Sequence, residues 1–282
     1  MFAGTHVLVG YDGTPESERA LRWSAREAVM RHLPLTVCHA WRRPYPLAHT
    51  DHDGVDAVER MGRQLLDHGV SLVEEGAPAL EIRGRLLEGG PYSALLNEGR
   101  EAEQIVIGSH RPDGMPASSV ALRLPARAHR PVVAVRPPTG GPIVVGVDGS
   151  AGADAALGFA FEEAALRERP LHAVYGCWEP GAPPDGDLSL FDDEDELRRV
   201  CGAVLERAVA PWLVKYPRVE ARTVLRTTSP RQAMLAAARQ AAVIVVGDRG
   251  TGEVVELELG ATTDALVRRA PCTVAVIPST VS

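Results

Sequence analysis

The chain has 282 residues, enough for two domains of ordinary size, and its 45% hydrophobic content supports packed cores. Its net charge of −7 argues against a nucleic-acid-binding protein, which needs a basic face to neutralise phosphates. No apolar stretch approaches the roughly 18 residues of a membrane span, and no secretory signal is visible at the N-terminus. The four scattered cysteines favour buried, reduced thiols and a cytoplasmic location.

An internal repeat organises the chain. Three segments of the first half return in the second half: 5–14 as 141–150, 35–41 as 171–178, and 105–108 as 244–247. The spacing predicts a tandem duplication with a period of about 140 residues, which is a whole domain. We expect one domain over 1–138 and another over 142–282, joined by a linker rich in proline and glycine.

Within each half, short apolar runs alternate with helical patterns, which is typical of parallel strands with helices on both faces. In the second half, strands are predicted near 142–148, 170–176, 218–225, 243–247 and 272–277. Thr14 and Ser150 are expected to cap the first helix of each half. The predicted fold is α/β, with two tandem doubly wound, Rossmann-like domains, each a five-stranded parallel sheet. The final strands, 132–135 and 274–277, are expected to pair the two domains within the chain, and a homodimer stays open.

A glycine-rich loop follows the predicted strand 243–247. Gly247, Gly250 and Gly252 allow backbone conformations and close approaches that a Cβ would obstruct, and a helical pattern begins at about Gly260. Strand, glycine loop and helix N-terminus together favour a bound phosphate, which exposed amides and the helix dipole would hold. An ordinary tight turn is the alternative for the same residues.

Asp148 ends the first strand of the second half. In doubly wound sheets, ligands lie beyond the carboxyl ends of the strands where the strand order reverses, so Asp148 meets the glycine loop if the first and fourth strands are neighbours. There it would accept hydrogen bonds from a base or a sugar, or only shape the turn into its helix. Asp148 and Asp248 are also the carboxylates that could hold Mg²⁺ through the phosphates of a nucleotide.

The pattern Gly247-x2-Gly250-x9-Gly260, with the strand A-P-C-T-V-A-V after it, resembles the nucleotide loop of the universal stress protein family. Both halves of the chain resemble domains of that family. The resemblance implies that Asp148 lies near adenine and that Gly176 offers its backbone to the base. It assigns the phosphate region to Gly247, Arg249, Gly250, Gly260, Ala261 and Thr262. The family pattern has Ser or Thr at the position of Ala261, so one hydroxyl donor is missing here.

The corresponding loop of the first half departs further from the family pattern. After Gly108 the chain reads S-H-R-P-D-G-M-P-A-S-S, which places Arg111 and Ser118 where the pattern has glycines. Two prolines in this loop also lack amide donors. Asp12 and Ala40 match the base-side positions, so an adenine slot can survive without a complete phosphate site. We therefore expect the first half to bind nucleotide weakly or not at all.

Catalytic and metal sites have little support. The chain contains no Gly-x4-Gly-Lys-Ser/Thr loop, no Gly-x-Ser-x-Gly elbow and no Cys-x-x-Cys pair, so no catalytic residue is assigned and slow ATP hydrolysis is the most we expect. His49, Asp51 and His52 have side chains that bind zinc, but without a fourth ligand a surface loop is favoured. The acidic run 192–196 is expected to lead into a solvated helix N-terminus.

The resemblance implies a cytoplasmic stress-response protein that binds ATP or a related adenine nucleotide, with or without Mg²⁺, mainly in its second half. The alternative is a nucleotide-independent interaction module whose two sites have decayed and which acts through a protein partner. An ATP-dependent ligase or nucleotidyl transferase ranks behind both, because the usual sequence marks of those enzymes are missing.

Overall fold

The computed structural model describes residues 4–43, 52–109, 119–177, 194–250 and 258–279. These residues form two compact units with the boundary between residues 136 and 137. We call the part before the boundary the N-terminal unit and the part after it the C-terminal unit. The predicted α/β class with parallel strands is confirmed in both. Among the helices of the described ranges, none has the length and apolar character needed to cross a membrane.

The N-terminal unit alternates strands and helices. Its elements are β1 (Val7–Gly10), α1 (Pro15–Arg31), β2 (Leu35–Trp41), α2 (His52–Gly76), β3 (Ile82–Glu88), α3 (Pro91–Glu98), β4 (Gln104–Gly108), α4 (Ser119–Arg123) and β5 (Val132–Val135). The strand pairs are parallel and follow the order β3-β2-β1-β4-β5. The order therefore reverses between β1 and β4, the position at which doubly wound sheets open a crevice.

The C-terminal unit repeats this plan. Its elements are β6 (Ile143–Gly146), α5 (Ala151–Leu166), β7 (Leu171–Gly176), α6 (Glu194–Lys215), β8 (Ala221–Arg226), α7 (Pro230–Ala238), β9 (Val243–Gly247), α8 (Ala261–Arg269) and β10 (Thr273–Ile277). The parallel order is β8-β7-β6-β9-β10, with the reversal between β6 and β9. Helices α5 and α6 pack together and α7 packs with α8, so helices cover both faces of the strands.

The central strands form the cores because they are buried on both faces. Ile105 and Val106 of β4, and Ile244 and Val245 of β9, are at most 1% exposed. Their continuous apolar, β-branched runs predict this, since a strand with one solvated face would alternate apolar and polar residues. At their carboxyl ends, these strands deliver the loops that form the candidate sites.

Hydroxyl side chains fix the starts of three helices. Thr14, Ser150 and Ser229 each accept a hydrogen bond from the backbone N–H three residues further on, at 3.1–3.3 Å. The predicted caps at Thr14 and Ser150 are confirmed. Each such cap satisfies one of the amides that a helix N-terminus leaves without an intrahelical partner.

Each unit buries an ion pair on its first helix. Glu27 lies 2.5 Å from Arg31 in α1, and Glu163 lies 2.8 Å from Arg167 in α5. Both glutamate side chains are fully buried, whereas the two arginines retain 5% and 14% exposure. Removing one partner of a buried pair costs far more than the loss of an exposed pair, because the remaining buried charge loses its nearest opposite charge.

Glu163→Ala is expected to lower the free energy of unfolding of the C-terminal unit by about 3–5 kcal/mol, because Arg167 loses its buried partner. Urea unfolding followed by circular dichroism measures the loss. Glu59→Ala is the matched control, since Glu59 and Arg63 form an exposed pair with the same i,i+4 spacing, worth about 0.3–0.5 kcal/mol. Equal losses in the two variants would show that the Glu163–Arg167 pair is not a stabilising contact.

Candidate functional site

A cavity of about 370 Å³ lies at the carboxyl ends of β6 and β9 in the C-terminal unit. Sites for small molecules usually have volumes of about 300–1,000 Å³, so this cavity can hold one. All residues assigned to the second-half site line it: Asp148, Gly176, Gly247, Arg249, Gly250, Gly260, Ala261 and Thr262. The structure thus brings together residues that lie more than 100 positions apart in the sequence.

Asp148 joins the first turn of the unit to the glycine loop. Its Oδ1 accepts a hydrogen bond from the Ser150 N–H at 2.9 Å, and Gly149 adopts a left-handed φ of 81° in the same turn. A Cβ on Gly250 would lie 2.4 Å from Asp148 Oδ2, so a larger residue there would displace the carboxylate that the Ser150 N–H holds. Asp148 therefore shapes the turn into its helix, as the alternative interpretation expected, and it also lines the cavity.

Two further glycines allow strand ends to contact the starts of helices. A Cβ on Gly247 would lie 2.8 Å from the carbonyl carbon of Gly152 in α5, and a Cβ on Gly176 would lie 2.7 Å from Cα of Pro230. Real Cβ atoms essentially never approach backbone atoms so closely. These glycines serve helix packing first, and the packing brings their backbones to the wall of the cavity.

Helix α8 directs an uncapped N-terminus at the cavity. Gly260 is its N-cap residue and supplies no side-chain acceptor, in contrast to Thr14, Ser150 and Ser229. The first backbone bond of the helix runs from the Asp264 N–H to the Gly260 carbonyl at 2.9 Å. The amides before it, at residues 261–263, belong to the four that a helix cannot satisfy internally, and they carry the positive end of the helix dipole.

Asp248 ties the two ends of the loop together. Its N–H donates to the Ile277 carbonyl at 2.7 Å, its carbonyl accepts from the Gly260 N–H at 2.9 Å, and its Oδ1 accepts from the Ser279 N–H at 2.9 Å. The residue is only 6% exposed, and its side chain does not line the cavity. Of the two carboxylates considered for Mg²⁺, Asp248 is thus committed to closing the loop.

Arg249 supplies a positive charge at the cavity wall. Its Nε lies 3.9 Å from Asp248 Oδ2, and 37% of its side chain is exposed. Within the described part of the chain, this Nε is buried and has no hydrogen-bond partner. Arg249 therefore places a positive charge at the cavity wall, where it favours an anion.

The sequence prediction missed the apolar wall of the cavity. Val147, Val174, Pro230 and Met234 line it, and Met234 Cε lies 3.0 Å from the position of a Cβ on Gly146. Pro230 and Met234 lie in α7, which packs against β7. The S-P start of α7 marks a helix after β8, but no residue of that helix matches a binding motif, so its role in the cavity has no local sequence signal.

The N-terminal unit has a smaller counterpart of about 190 Å³, below the usual range for small-molecule sites. Asp12, Ala40 and Gly108, the residues predicted for this half, all line it. Ala40 stands where the C-terminal unit has Gly176, so a methyl group occupies space at the same end of the strand. A Cβ on Gly108 would lie 2.5 Å from the Glu16 carbonyl carbon, which repeats the close approach made by Gly247.

Asp12 is strongly hydrogen-bonded. Its Oδ1 accepts from the Thr14 N–H at 3.1 Å and from the Thr14 hydroxyl at 2.6 Å. Burial would raise the pKa of Asp12, but the hydrogen bonds from Thr14 and Ser17 and the charge of His39 outweigh burial and lower it. The carboxylate thus stays ionised and occupied by its own turn.

Several predicted positions lie outside the described residues. These are His49 and Asp51, the side chain of His52, Arg111 and Ser118 of the first-half loop, Gly252, and the beginning of the acidic run 192–196. Among the side chains that are described, no group of three or more His, Cys, Asp or Glu residues is arranged to hold a metal ion.

Comparisons with known proteins cover nearly the whole chain. The Universal stress protein family matches residues 4–136 and 141–278. A universal stress protein of Mycobacterium tuberculosis (strain H37Rv) is 31% identical over 284 residues, 94% of each chain. A second protein of that strain with the same family name is 29% identical over 300 residues, 95% of each chain.

Solved structures show the same fold. The crystal structure of a universal stress protein from Archaeoglobus fulgidus aligns with a TM-score of 0.74 at 19% identity, over 99% of this chain and 100% of that one. A second, from Pseudomonas aeruginosa, aligns with a TM-score of 0.63 at 17% identity, over 98% and 94%. With both halves matched by the family, this chain belongs to the universal stress protein family as a tandem of two of its domains.

Proposed function

We propose that the C-terminal unit binds an adenine nucleotide, ATP in the first place, and that the protein acts in a stress response through this bound state. The observation that carries the proposal is the meeting of an uncapped helix N-terminus, a glycine loop and the positive charge of Arg249 in one cavity of about 370 Å³. Each of these features favours an anion, and together they lie at the crevice where doubly wound sheets bind ligands.

The phosphates would lie at the α8 end of the cavity. The helix leaves the amides at the start of α8 without an intrahelical partner, and Arg249 adds a positive charge beside them. The Thr263 hydroxyl does not donate to a phosphate, because it already donates to the Gly247 carbonyl at 2.7 Å. With Ala261 in place of a hydroxyl residue, backbone amides would supply most of the hydrogen bonds.

The base would lie at the opposite end, between the strand ends and α7. Val147, Val174 and Met234 offer apolar surface to a flat ring, and the backbone at Gly176 and the carboxylate of Asp148 offer polar groups at its edge. Such a mixture of apolar walls and a few placed polar groups is typical of sites for heterocyclic ligands. Family membership supports adenine as the base.

The proposal is a binding function without an assigned catalytic residue. Asp148 is the carboxylate among the lining residues, and its Oδ1 is occupied by the Ser150 N–H. Mg²⁺ would therefore enter with the phosphates of the nucleotide rather than bind to a preformed carboxylate cluster. Slow hydrolysis of bound ATP remains compatible with the site.

Gly260→Asp is the sharpest test of the phosphate end. The backbone of Gly260, with φ −57° and ψ 149°, suits any residue, and an aspartate there would cap α8 with its own carboxylate. We expect the unit to gain a few tenths to about 1 kcal/mol in stability. ATP affinity should fall at least about 100-fold, because two amide bonds to a charged ligand, worth about 1.5–3 kcal/mol each, are lost. Isothermal titration calorimetry and thermal unfolding measure the two effects.

Gly260→Ala is the matched control for that variant. Among the described residues, the atom nearest to a Cβ at this position is Arg249 Cα at 3.4 Å, so those residues need not move. ATP affinity should stay within about threefold of the wild type, since no acceptor competes for the amides. If Gly260→Asp binds ATP as tightly as Gly260→Ala does, the phosphates do not lie at the start of α8.

Ala261→Ser restores the hydroxyl that the family pattern has at this position. One added hydrogen bond to a phosphate is expected to strengthen ATP binding about 2–10-fold, from a contribution of about 0.5–1.5 kcal/mol. Calorimetric titration of the wild type and the variant measures the change, with Ala261→Val as the control that adds bulk without a donor. An Ala261→Ser variant with unchanged or weaker affinity would contradict the placement of residue 261 beside a phosphate.

Native mass spectrometry of the full chain with added ATP is expected to show one nucleotide per chain. The C-terminal cavity falls in the usual size range for ligand sites, whereas the N-terminal cavity of about 190 Å³ does not. Asp12→Ala serves as the control and should leave the stoichiometry at one. Two equivalent tight sites would refute the assignment to the C-terminal unit, and no binding at any ATP concentration would favour the nucleotide-independent interaction module.

A further inference from the structure

Two cysteines of the C-terminal unit lie in contact on the face of β7 opposite the cavity. Cys177 directly follows β7, and Cys201 lies in α6, which packs against β7. A side-chain hydrogen bond joins the two thiols, and a second joins Cys201 to Tyr175. The Cys177 thiol in turn donates to the Arg226 carbonyl, with Sγ 3.4 Å from the oxygen. Both thiols are free, and nothing in the proposed nucleotide site uses them.

The internal repeat gives an independent measure of this geometry. Trp41 occupies the position of Cys177, because each lies six residues after the leucine that begins its strand. Gly62 occupies the position of Cys201. The backbone bond from the Ala77 N–H to the Val73 carbonyl at the end of α2 matches the bond from the Tyr216 N–H to the Trp212 carbonyl at the end of α6, and Gly62 and Cys201 each lie fifteen residues before the donor. A Cβ on Gly62 would lie 3.4 Å from Cβ of Trp41. Disulfides have Cβ–Cβ separations of about 3.5–4.5 Å, so the distance in the N-terminal unit, close to the lower end of that range, supports a close approach of Cys177 and Cys201.

We propose that Cys177 and Cys201 are a redox-modification site that peroxides convert to an intramolecular disulfide. The bond would link the end of β7 to α6 within one unit. In reducing compartments, the disulfides that do form are usually transient and redox-sensing, which suits a pair that is free in the resting protein. The inference rests on the side-chain contacts and not on the proposed nucleotide binding.

The chemistry balances in two steps. The Cys177 thiolate attacks one oxygen of hydrogen peroxide, the O–O bond breaks, and the departing hydroxide takes up a proton to give water and a sulfenic acid on Cys177. The Cys201 sulfur then attacks that sulfur and its proton leaves with the hydroxyl group as a second water. The two thiols lose two electrons and one peroxide is reduced to two waters, so no other reactant is needed.

The difference in exposure indicates which of the two thiols reacts with peroxide first. Cys177 is partly exposed and can meet a peroxide, whereas Cys201 is 7% exposed and lies behind it. Burial, followed by the charge of Cys177, raises the pKa of Cys201, so Cys201 stays a thiol while Cys177 is reduced.

The two other cysteines are unsuited to this reaction. Cys38 is 2% exposed and burial raises its pKa to about 12, and Cys272 is fully buried. Cys38 lies within β2, and Cys272 directly precedes β10. Both therefore serve as internal controls for nonspecific oxidation.

The test treats the full chain with hydrogen peroxide, blocks remaining thiols with iodoacetamide and maps the peptides by mass spectrometry. We expect an intact-mass loss of two hydrogens and one linked peptide pair that joins Cys177 to Cys201. The linked form should also unfold about 5–10 °C higher than the reduced form, since the bond closes a loop in the unfolded chain. Dithiothreitol should reverse both changes.

Variants separate the two roles. Cys201→Ser should stop at a sulfenic acid on Cys177 that dimedone traps, Cys177→Ser should give neither adduct nor link, and Cys38→Ser should form the link as the wild type does. Peroxide treatment of the wild type that yields no Cys177–Cys201 link would overturn the proposal. So would a link to Cys38 or Cys272, or a wild-type product that ends at a dimedone adduct on Cys177. These readouts are independent of nucleotide binding, so either proposal can fail alone.

Discussion

The close approach of the glycine loop to the first turn of the C-terminal unit is the constraint on which the candidate site depends. Gly247 lies against the backbone of Gly152, and Gly250 lies against the carboxylate of Asp148. Both contacts require that β6 and β9 be neighbours, which the reversal of strand order provides. A Cβ at Gly247 would clash with backbone and one at Gly250 would displace the Asp148 carboxylate, so the glycines of this loop serve packing as well as binding. The cavity is the space that remains once these backbones meet.

The residue that follows the fourth strand makes different hydrogen bonds in the two units. In the C-terminal unit, Asp248 bonds Ile277, Ser279 and Gly260, so one buried residue holds both loop ends and the start of α8. At the corresponding point of the N-terminal unit, the Ser109 N–H still donates to the Val135 carbonyl at 3.0 Å, but its side chain is a hydroxyl instead of a carboxylate. The carboxylate of Asp248 supplies the third bond, which it accepts from the Ser279 N–H. This difference parallels the difference in volume between the two cavities.

The sequence predicted the elements well because they depend on local patterns. The second-half strands lie within three residues of their predicted bounds, and the assigned site residues line a common cavity in each unit. What escaped prediction depends on contacts between distant segments. Met234 reaches the cavity through the packing of α7 on β7. The hydrogen bonds of Asp248 to Ser279 and Gly260 have no local sequence pattern, so its role in closing the loop was not predicted and it was considered for Mg²⁺ instead.

Duplication explains why the two faces of β7 have separate uses. Consecutive residues of a strand point to opposite faces, so Gly176 faces the cavity and α7 while its neighbour Cys177 faces α6. In the N-terminal unit the same two positions are Ala40 and Trp41, and beside Trp41 an open cleft of about 610 Å³ replaces the contact between thiols. Substitutions on the α6 face therefore changed the chemistry there without altering the backbone contacts that shape the crevice. Strand pairing and glycine packing hold the shared fold, and each face of the strand remained free to diverge.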